Sequence, residues 1–218
     1  MSLFQNATFL KSAVAPRDLP PDSRAEVAIA GRSNAGKSSA INALANRRRL
    51  AFVSRTPGRT QEINYFRIAE GKYLVDLPGY GYSKVPGEIK QRWQALLGEF
   101  LSTRHALAGL VLVMDVRHPL TEIDRVMLEW FAPTGKPVHV LLTKSDKLTR
   151  QAALKTLRDV DAFLARHHPR HSVQLFSSVK RSGLEEAEAV IAGWLGLARE
   201  TRIKNPRLKG SKTGGETP

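Results

Sequence analysis

Apolar positions along the chain follow two alternating spacings. Short apolar or β-branched runs, typical of strands, alternate with segments in which apolar residues recur every three or four positions, typical of helices. The run at 107–116 (LAGLVLVMDV) is nearly continuous, as in a parallel strand covered on both faces. The predicted strands are 26–30, 61–68, 72–75, 107–116, 138–142 and 173–176. The predicted helices are 36–46, 88–101, 122–131, 149–166 and 182–197.

This alternation predicts an α/β fold with a mostly parallel six-stranded sheet and helices on both faces. One strand should be antiparallel, because only Glu70-Gly71 separates 61–68 from 72–75, a spacing typical of a hairpin. We expect one domain at 26–198, an N-terminal extension at 1–25 that lies over it, and a basic, flexible tail at 199–218. In open α/β sheets, ligands bind beyond the carboxyl ends of the strands.

The amino-acid composition limits the kinds of partner and compartment that we expect for this protein. The 218 residues carry a formal charge of +14, which favours a polyanionic partner, although the excess could serve solubility alone. The chain has no cysteine, which excludes disulfides and thiolate chemistry. No apolar run approaches the ~20 residues that span a bilayer, and no signal peptide is recognisable. We therefore expect a soluble, cytoplasmic protein without a membrane span.

The first chemical motif lies directly after a predicted strand and opens a helix. Residues 31–38 (GRSNAGKS) match G-x-x-x-x-G-K-S/T, a loop whose backbone N–H groups surround phosphates. Lys37 should reach the β- and γ-phosphates, and the hydroxyl of Ser38 should bind Mg²⁺. The alternative is a glycine-rich turn with a surface lysine.

The second motif ends the strand at 72–75. Asp76 would hold Mg²⁺ through a water, and Gly79 of D-x-x-G would donate its N–H to the γ-phosphate. The alternative is an aspartate that only starts a turn. Between the two motifs, a loop threonine can bind the ion while the γ-phosphate is present. Thr60 is the favoured third Mg²⁺ ligand because it lies just before the strand, and Thr56 is its competitor; the alternative is a threonine that only forms a turn.

The third motif, Thr143-Lys144-Ser145-Asp146, follows the strand at 138–142. The carboxylate of Asp146 can accept both the N1–H and the 2-amino protons of guanine. Adenine has no donor at either place, so such a site discriminates strongly. The Lys144 stem would lie along the base, and 177–179 (SSV) would present backbone N–H groups to guanine O6.

Four stretches together resemble the Era-like branch of the TRAFAC P-loop GTPases, and within it the EngB (YihA/YsxC) family of ribosome-biogenesis GTP-binding proteins. They are GRSNAGKSS at 31–39, TPGRTQ at 56–61, VDLPGYGYSK at 75–84 and LLTKSDKL at 141–148. The resemblance implies a Ras-like fold, Mg²⁺-dependent hydrolysis of GTP to GDP, and a switch function in assembly of the large ribosomal subunit on its rRNA. It also implies a requirement in cell division and septation, direct or indirect. We expect a monomer.

Carried onto this chain, the resemblance implies the following nucleotide contacts: Gly31, Arg32, Ser33, Asn34, Ala35, Gly36, Lys37, Ser38, Ser39, Gly58, Arg59, Thr60, Gln61, Glu62, Asp76, Leu77, Pro78, Gly79, Thr143, Lys144, Ser145, Asp146, Ser177, Ser178 and Val179. The expected Mg²⁺ ligands are Ser38, Thr60 and Asp76. The residues expected to act in hydrolysis are Lys37, Thr60, Gly79 and Asn34.

Two positions depart from the common GTPase pattern. Ras-like proteins place a water-orienting glutamine directly after D-x-x-G, whereas this chain has Tyr80, so we expect slow basal hydrolysis. Asn34 resembles the asparagine of K⁺-activated relatives, in which the ion would replace an arginine finger; it could instead only stabilise the loop. At Thr143, asparagine is commoner, and the change should weaken one loop-bridging hydrogen bond.

Basic residues at Arg47 to Arg49 and in the tail would contact rRNA phosphates. A solvated charge run is the alternative for the tail. Two other functions stay open: a P-loop kinase or ATPase, which Asp146 disfavours, and a division-site regulatory GTPase that acts through protein partners without binding ribosomes.

Overall fold

The structure, a computed structural model, describes residues 2–21, 23–51, 62–80 and 87–197, without the side chains of Pro16 and 87–94. The strands in this part of the chain are β1 (Thr8–Ala13), β2 (Ala25–Gly31), β3 (Ile63–Ala69), β4 (Lys72–Asp76), β5 (Leu107–Asp115), β6 (Val138–Thr143) and β7 (His171–Leu175). The α-helices are α1 (Lys37–Leu44), α2 (Gly87–Thr103), α3 (Glu122–Phe131), α4 (Arg150–His167) and α5 (Leu184–Trp194). The predicted tail lies outside the described residues.

All seven strands form one sheet in the order β1-β3-β4-β2-β5-β6-β7. The five adjacent strands β4, β2, β5, β6 and β7 are all parallel to one another. Strand β3 is antiparallel to both of its neighbours, β4 and β1. The expectation of a mostly parallel sheet with one antiparallel strand is therefore confirmed.

The sheet has a seventh strand that the sequence did not predict. Part of the expected N-terminal extension is β1, which pairs with β3 from Thr8 opposite Arg67 to Ala13 opposite Ile63. Six residues with a bulge between Phe9 and Lys11 give a weak alternation signal, and the paired residues of the partner strand lie 50 to 59 positions further along. The prediction of six strands is thus wrong by one, and this segment is an edge strand of the sheet.

Strand β5 has apolar side chains on both faces, which explains its continuous apolar run. Leu110, Leu112 and Met114 belong to the cluster that α2, α3 and α4 cover, whereas Val111 and Val113 belong to the cluster under α1 and α5. Helices therefore cover both faces of the sheet, as predicted. Among the described residues, no helix is both long and apolar enough to cross a bilayer.

Helix α5 packs closely on the sheet at a glycine. A Cβ at Gly109 of β5 would lie 2.6 Å from the Trp194 ring. The same ring meets His139 of β6 edge-on, with 6.4 Å between ring centroids. Because interiors are packed as densely as crystals, this position accepts no larger side chain without displacement of the indole.

Candidate nucleotide site

The carboxyl ends of β2, β4 and β6 border a cleft of about 510 Å³. Among its lining residues are these predicted ones: Arg32, Ser33, Asn34, Gly36, Lys37, Ser38, Ser39, Glu62, Asp76, Leu77, Pro78, Gly79 and Lys144. Three motifs that are far apart in sequence thus meet at one edge of the sheet. Five further lining residues were not predicted: Phe9, Ser12, Leu50, Asn64 and Phe66.

The phosphate loop turns into α1 through two left-handed residues, Asn34 (φ 62°) and Gly36 (φ 101°). Glycine is required at the second, because its φ is rare for L side chains. In the first backbone hydrogen bond of α1, the Ala40 N–H donates to the Gly36 carbonyl at 2.9 Å. The N–H groups of residues 37–39 precede that bond and lack a helical acceptor, so they form a positive end suited to a phosphate.

Lys37 and Asp76, which both line the cleft, form an ion pair. Their side chains are only 12% and 10% exposed, so both charges are largely removed from water. Asp76 ends β4, which lies parallel beside β2, and this pairing brings the acid to the loop. A phosphate would attract the ammonium group and a cation the carboxylate, so these two groups suit a nucleotide with its metal.

The residues near the cleft also fit Mg²⁺. Among the described residues, no group of three or more His, Cys, Asp or Glu side chains could hold a metal ion by itself. Mg²⁺ is usually held by one or two protein groups together with substrate phosphates and water. Asp76 and Ser38, which line the same cleft, supply such a set. The expected ligand Thr60 and its competitor Thr56 lie outside the described residues, as do Gly58, Arg59 and Gln61.

The end of β6 is tied to the phosphate loop by two side chains. The Thr143 hydroxyl lies within hydrogen-bond distance of the carbonyls of Ala35 and of Met114. Lys144, in the left-handed region with φ 57°, donates from Nζ to the Asn34 carbonyl at 2.7 Å. Threonine at 143 therefore keeps a contact with the loop, although its single proton serves one carbonyl at a time.

Asp115, which the sequence analysis missed, holds Lys144 from the other side. It ends β5 in register with Thr143 and accepts from Lys144 Nζ at 3.0 Å. Arg117 donates to both carboxylate oxygens, from Nε at 2.9 Å and from Nη2 at 2.7 Å. Burial raises the pKa of Asp115, but the bonds from Arg117 and Lys144 outweigh it and hold the pKa well below its usual range. The sequence signal that would have identified Asp115 is an acid at the end of the most apolar strand.

The predicted base reader lies beside Lys144. The Ser177 hydroxyl donates to Asp146 Oδ1 at 2.5 Å and accepts from the Lys180 N–H at 3.1 Å. The bond from Ser177 lowers the pKa of Asp146, so its carboxylate is charged at neutral pH. Val179 is 79% exposed. The structure thus brings Asp146 and Ser177 together, whereas the Val179 side chain faces solvent.

Tyr80 points into the protein. Its hydroxyl donates to Asp124 Oδ1 at 3.1 Å, and its carbonyl accepts from the Ser33 N–H at 3.0 Å. Burial, followed by the charge of Asp124, raises the pKa of Tyr80 well above its ordinary value. This side chain is therefore placed to join the D-x-x-G segment to α3 and not to orient a water.

A phosphate loop between β2 and α1, an acid at the end of β4 and a Thr-Lys-x-Asp segment after β6 define a P-loop GTPase with a Ras-like fold. Residues 26–144 match the family model described as 50S ribosome-binding GTPase. The probable GTP-binding protein EngB of Dechloromonas aromatica is 58% identical over 97% of each chain. That of Azoarcus sp. is 61% identical over 89% of this chain and 94% of its own. The chain therefore belongs to the EngB family of GTP-binding proteins.

Solved structures agree in fold. The crystal structure of a probable GTP-binding protein engB superposes with a TM-score of 0.63 and 20% identity, over 80% of this chain and 100% of the other. A variant of Aquifex aeolicus Era bound to GDP.AlF4- gives 0.62 at 22% identity, over 78% of this chain and 56% of the other. At these identities the likeness concerns the fold alone.

Proposed function

We propose that this protein is an Mg²⁺-dependent GTPase switch that acts in assembly of the large ribosomal subunit. The observation that carries the proposal is the convergence of the phosphate loop, Asp76 and Lys144 on one cleft, with Asp146 beside it. The description of the matching family model, a 50S ribosome-binding GTPase, supports the choice of partner. A kinase or ATPase would need no carboxylate at Asp146 to read a guanine edge.

The phosphates would lie over the first N–H groups of α1. Lys37 would then exchange Asp76 for the β- and γ-phosphate oxygens, which releases the Asp76 carboxylate toward the metal. Ser38, Asp76 and Thr60 would hold Mg²⁺, which when bound supplies positive charge to the phosphates. Because the protein contributes few metal ligands, Mg²⁺ and nucleotide should bind together and not separately.

The guanine base would lie between Lys144 and Asp146. Asp146 would accept the N1–H and 2-amino protons, and Lys144, held by Asn34 and Asp115, would cover the base with its alkyl stem. The backbone at 177–179 would donate to O6. A site that leaves a carboxylate without donors when adenine enters should prefer GTP to ATP strongly.

Hydrolysis needs a water in line with the γ-phosphate and charge between the β- and γ-phosphates. Gly79 and Thr60 would contact the γ-phosphate, and Tyr80, turned toward Asp124, offers no carboxamide to orient water. We therefore expect slow basal turnover. If the Asn34 oxygen helps to hold K⁺ between the phosphates, replacement of K⁺ by Na⁺ lowers the rate; equal rates in the two salts would assign Asn34 to loop structure alone.

The test of the switch is cosedimentation of the full chain with separated ribosomal subunits, in GDP and in a non-hydrolysable GTP analogue, across a salt series. Retention on the large subunit that depends on the analogue and falls with salt supports the proposal, since phosphate contacts release counterions. No association in either state, with nucleotide loading verified, would favour a division-site GTPase with protein partners. We infer that effects on cell division and septation follow from ribosome assembly.

A further inference from the structure

The loop that follows α1 carries three consecutive arginines and is anchored by hydrogen bonds to the side chain of Asn42. Asn42 Oδ1 accepts from the Leu50 and Ala51 N–H groups at 2.9 and 2.8 Å, and Asn42 Nδ2 donates to the Ala51 carbonyl at 2.9 Å. Asn42 itself is buried. Arg48 and Arg49, which lie between these anchors, are exposed. The structure therefore presents two guanidinium groups from a fixed turn, so little backbone entropy is lost when they bind.

An exposed aromatic ring lies at the base of this loop. Arg47 Nη1 donates to the Ala7 carbonyl at 2.6 Å, directly before β1, and Leu50 lines the same cleft as Phe9. Phe9 is 55% exposed and is the only aromatic side chain among the exposed large apolar residues of the described chain. It meets Phe66 edge-on, with 6.0 Å between centroids. Since about half of its surface is open to solvent, it can accept a stacked ring.

Charge identifies the kind of partner. Within the described ranges, neither Arg48 nor Arg49 forms a hydrogen bond or an ion pair. The carboxylates that line the cleft next to Phe9 and Leu50 are Glu62 and Asp76, and neither pairs with Arg48 or Arg49. These two guanidinium groups have no partner among the described residues, and Leu50 of their loop shares a cleft with an open aromatic ring. Such a combination suits a strand with phosphates and unstacked bases. A second copy of this chain would bring like charges together, and a single phenylalanine offers a membrane little apolar area.

We propose that Phe9 and the Arg48–Arg49 turn form a docking surface for unpaired RNA nucleotides, with one base stacked on Phe9 and its flanking phosphates on the two arginines. The inference rests on the proposed function, which supplies RNA as the partner, and it adds the place and the mode of contact. Because Phe9 and Leu50 also line the nucleotide cleft, RNA bound here adjoins the GTP site.

The test is fluorescence anisotropy of a labelled single-stranded RNA oligonucleotide with the full chain, loaded with GDP or a GTP analogue, over a salt series. Phe9→Ala should weaken binding roughly tenfold, the size of one lost base–aromatic stack, and Phe9→Trp should retain it. Arg48→Glu with Arg49→Glu should flatten the slope of log affinity against log salt by about 1.4, from two lost phosphate contacts. The matched control is Arg158→Glu with Arg166→Glu, two exposed arginines of α4, which should leave that slope as in the wild type.

GDP affinity is measured for every variant, which identifies any variant whose nucleotide site is damaged. If Phe9→Ala is damaged in this way, Phe9→Trp and the Arg48–Arg49 variant test the proposal. The surface is wrong if Phe9→Ala and the Arg48–Arg49 variant bind the RNA as tightly as the wild type, or if the α4 control loses as much. That result leaves the GTPase switch intact when wild-type protein still hydrolyses GTP and sediments with the large subunit. If the wild type does not sediment with subunits but Phe9→Ala still weakens RNA binding, the docking surface is supported and the choice of the ribosome as partner is wrong.

Discussion

Replacement of Asp115 by asparagine should loosen the base side of the nucleotide site. The amide keeps the size of the carboxylate but turns an N–H donor toward one of two donors, Lys144 or Arg117. Arg117 is 43% exposed and can return to water, whereas Lys144 is held between Asp115 and the Asn34 carbonyl. Loss of the one hydrogen bond to the Lys144 ammonium group should cost about 2 kcal/mol of unfolding free energy, toward the lower end for a charged pair.

The same change should weaken GDP binding roughly tenfold, or about 1.4 kcal/mol, because Lys144 would lose one of the two contacts that place it. Urea unfolding and titration with a fluorescent GDP analogue measure the two effects. The control is Asp159→Asn, which removes the carboxylate of an exposed pair with Lys155 at 2.9 Å and should change stability by less than about 0.5 kcal/mol. Equal behaviour of the two variants would refute the role of Asp115.

The effect should also depend on pH. The pKa of Asp115 is lowered in the folded state, so its carboxylate stabilises the fold fully above the ordinary aspartate pKa of about 4. That stabilisation is lost as the pH falls through the lower pKa of the folded protein. The stability difference between wild type and Asp115→Asn should therefore be constant near neutrality and shrink in acid; a difference that grows in acid would contradict this assignment.

Three further changes test other parts of the structure. Asp146→Asn should weaken GDP binding by at least about a hundredfold and improve binding of xanthosine diphosphate, because the amide meets guanine donors with a donor; unchanged preference would exclude Asp146 as base reader. Tyr80→Phe should lower the free energy of unfolding by about 1–3 kcal/mol, since buried Asp124 loses a donor, and a thermal melt like that of the wild type would argue otherwise. Gly109→Ala should destabilise by roughly 1–3 kcal/mol through overpacking against Trp194, measured by denaturant midpoint, with Gly98→Ala, where a Cβ meets no atom within 4 Å, as the control.

The features that sequence predicted well are local ones. The continuous apolar run of β5 indicated a strand covered on both faces, and the helix at 122–131 has the predicted bounds. The phosphate loop could be placed because its glycines, its lysine and the following helix are adjacent in sequence. The position of Asp76 at a strand end needed only the apolar run before it.

The features that sequence missed depend on contacts between distant segments. Asp115 acts on Lys144 only because the β5–β6 register sets Asp115 opposite Thr143. The inward turn of Tyr80 depends on Asp124, which also accepts from the Thr121 hydroxyl at 2.7 Å at the start of α3. Such partners are brought together by strand order and helix position, and no local pattern encodes either.

The order of the elements along the chain has a consequence for how the protein is made. The central strand β2 is synthesised early, but α5, the last helix in the described part of the chain, covers its face together with α1. Val27 and Ile29 share that cluster with Ile191 of α5. Until α5 has been released from the site of synthesis, these side chains of the sheet stay open to water, and such partly covered sheets aggregate readily. A chain that ends before residue 184 should therefore accumulate as insoluble material. Completion of α5 thus sets the time at which a newly made molecule stops being prone to aggregation.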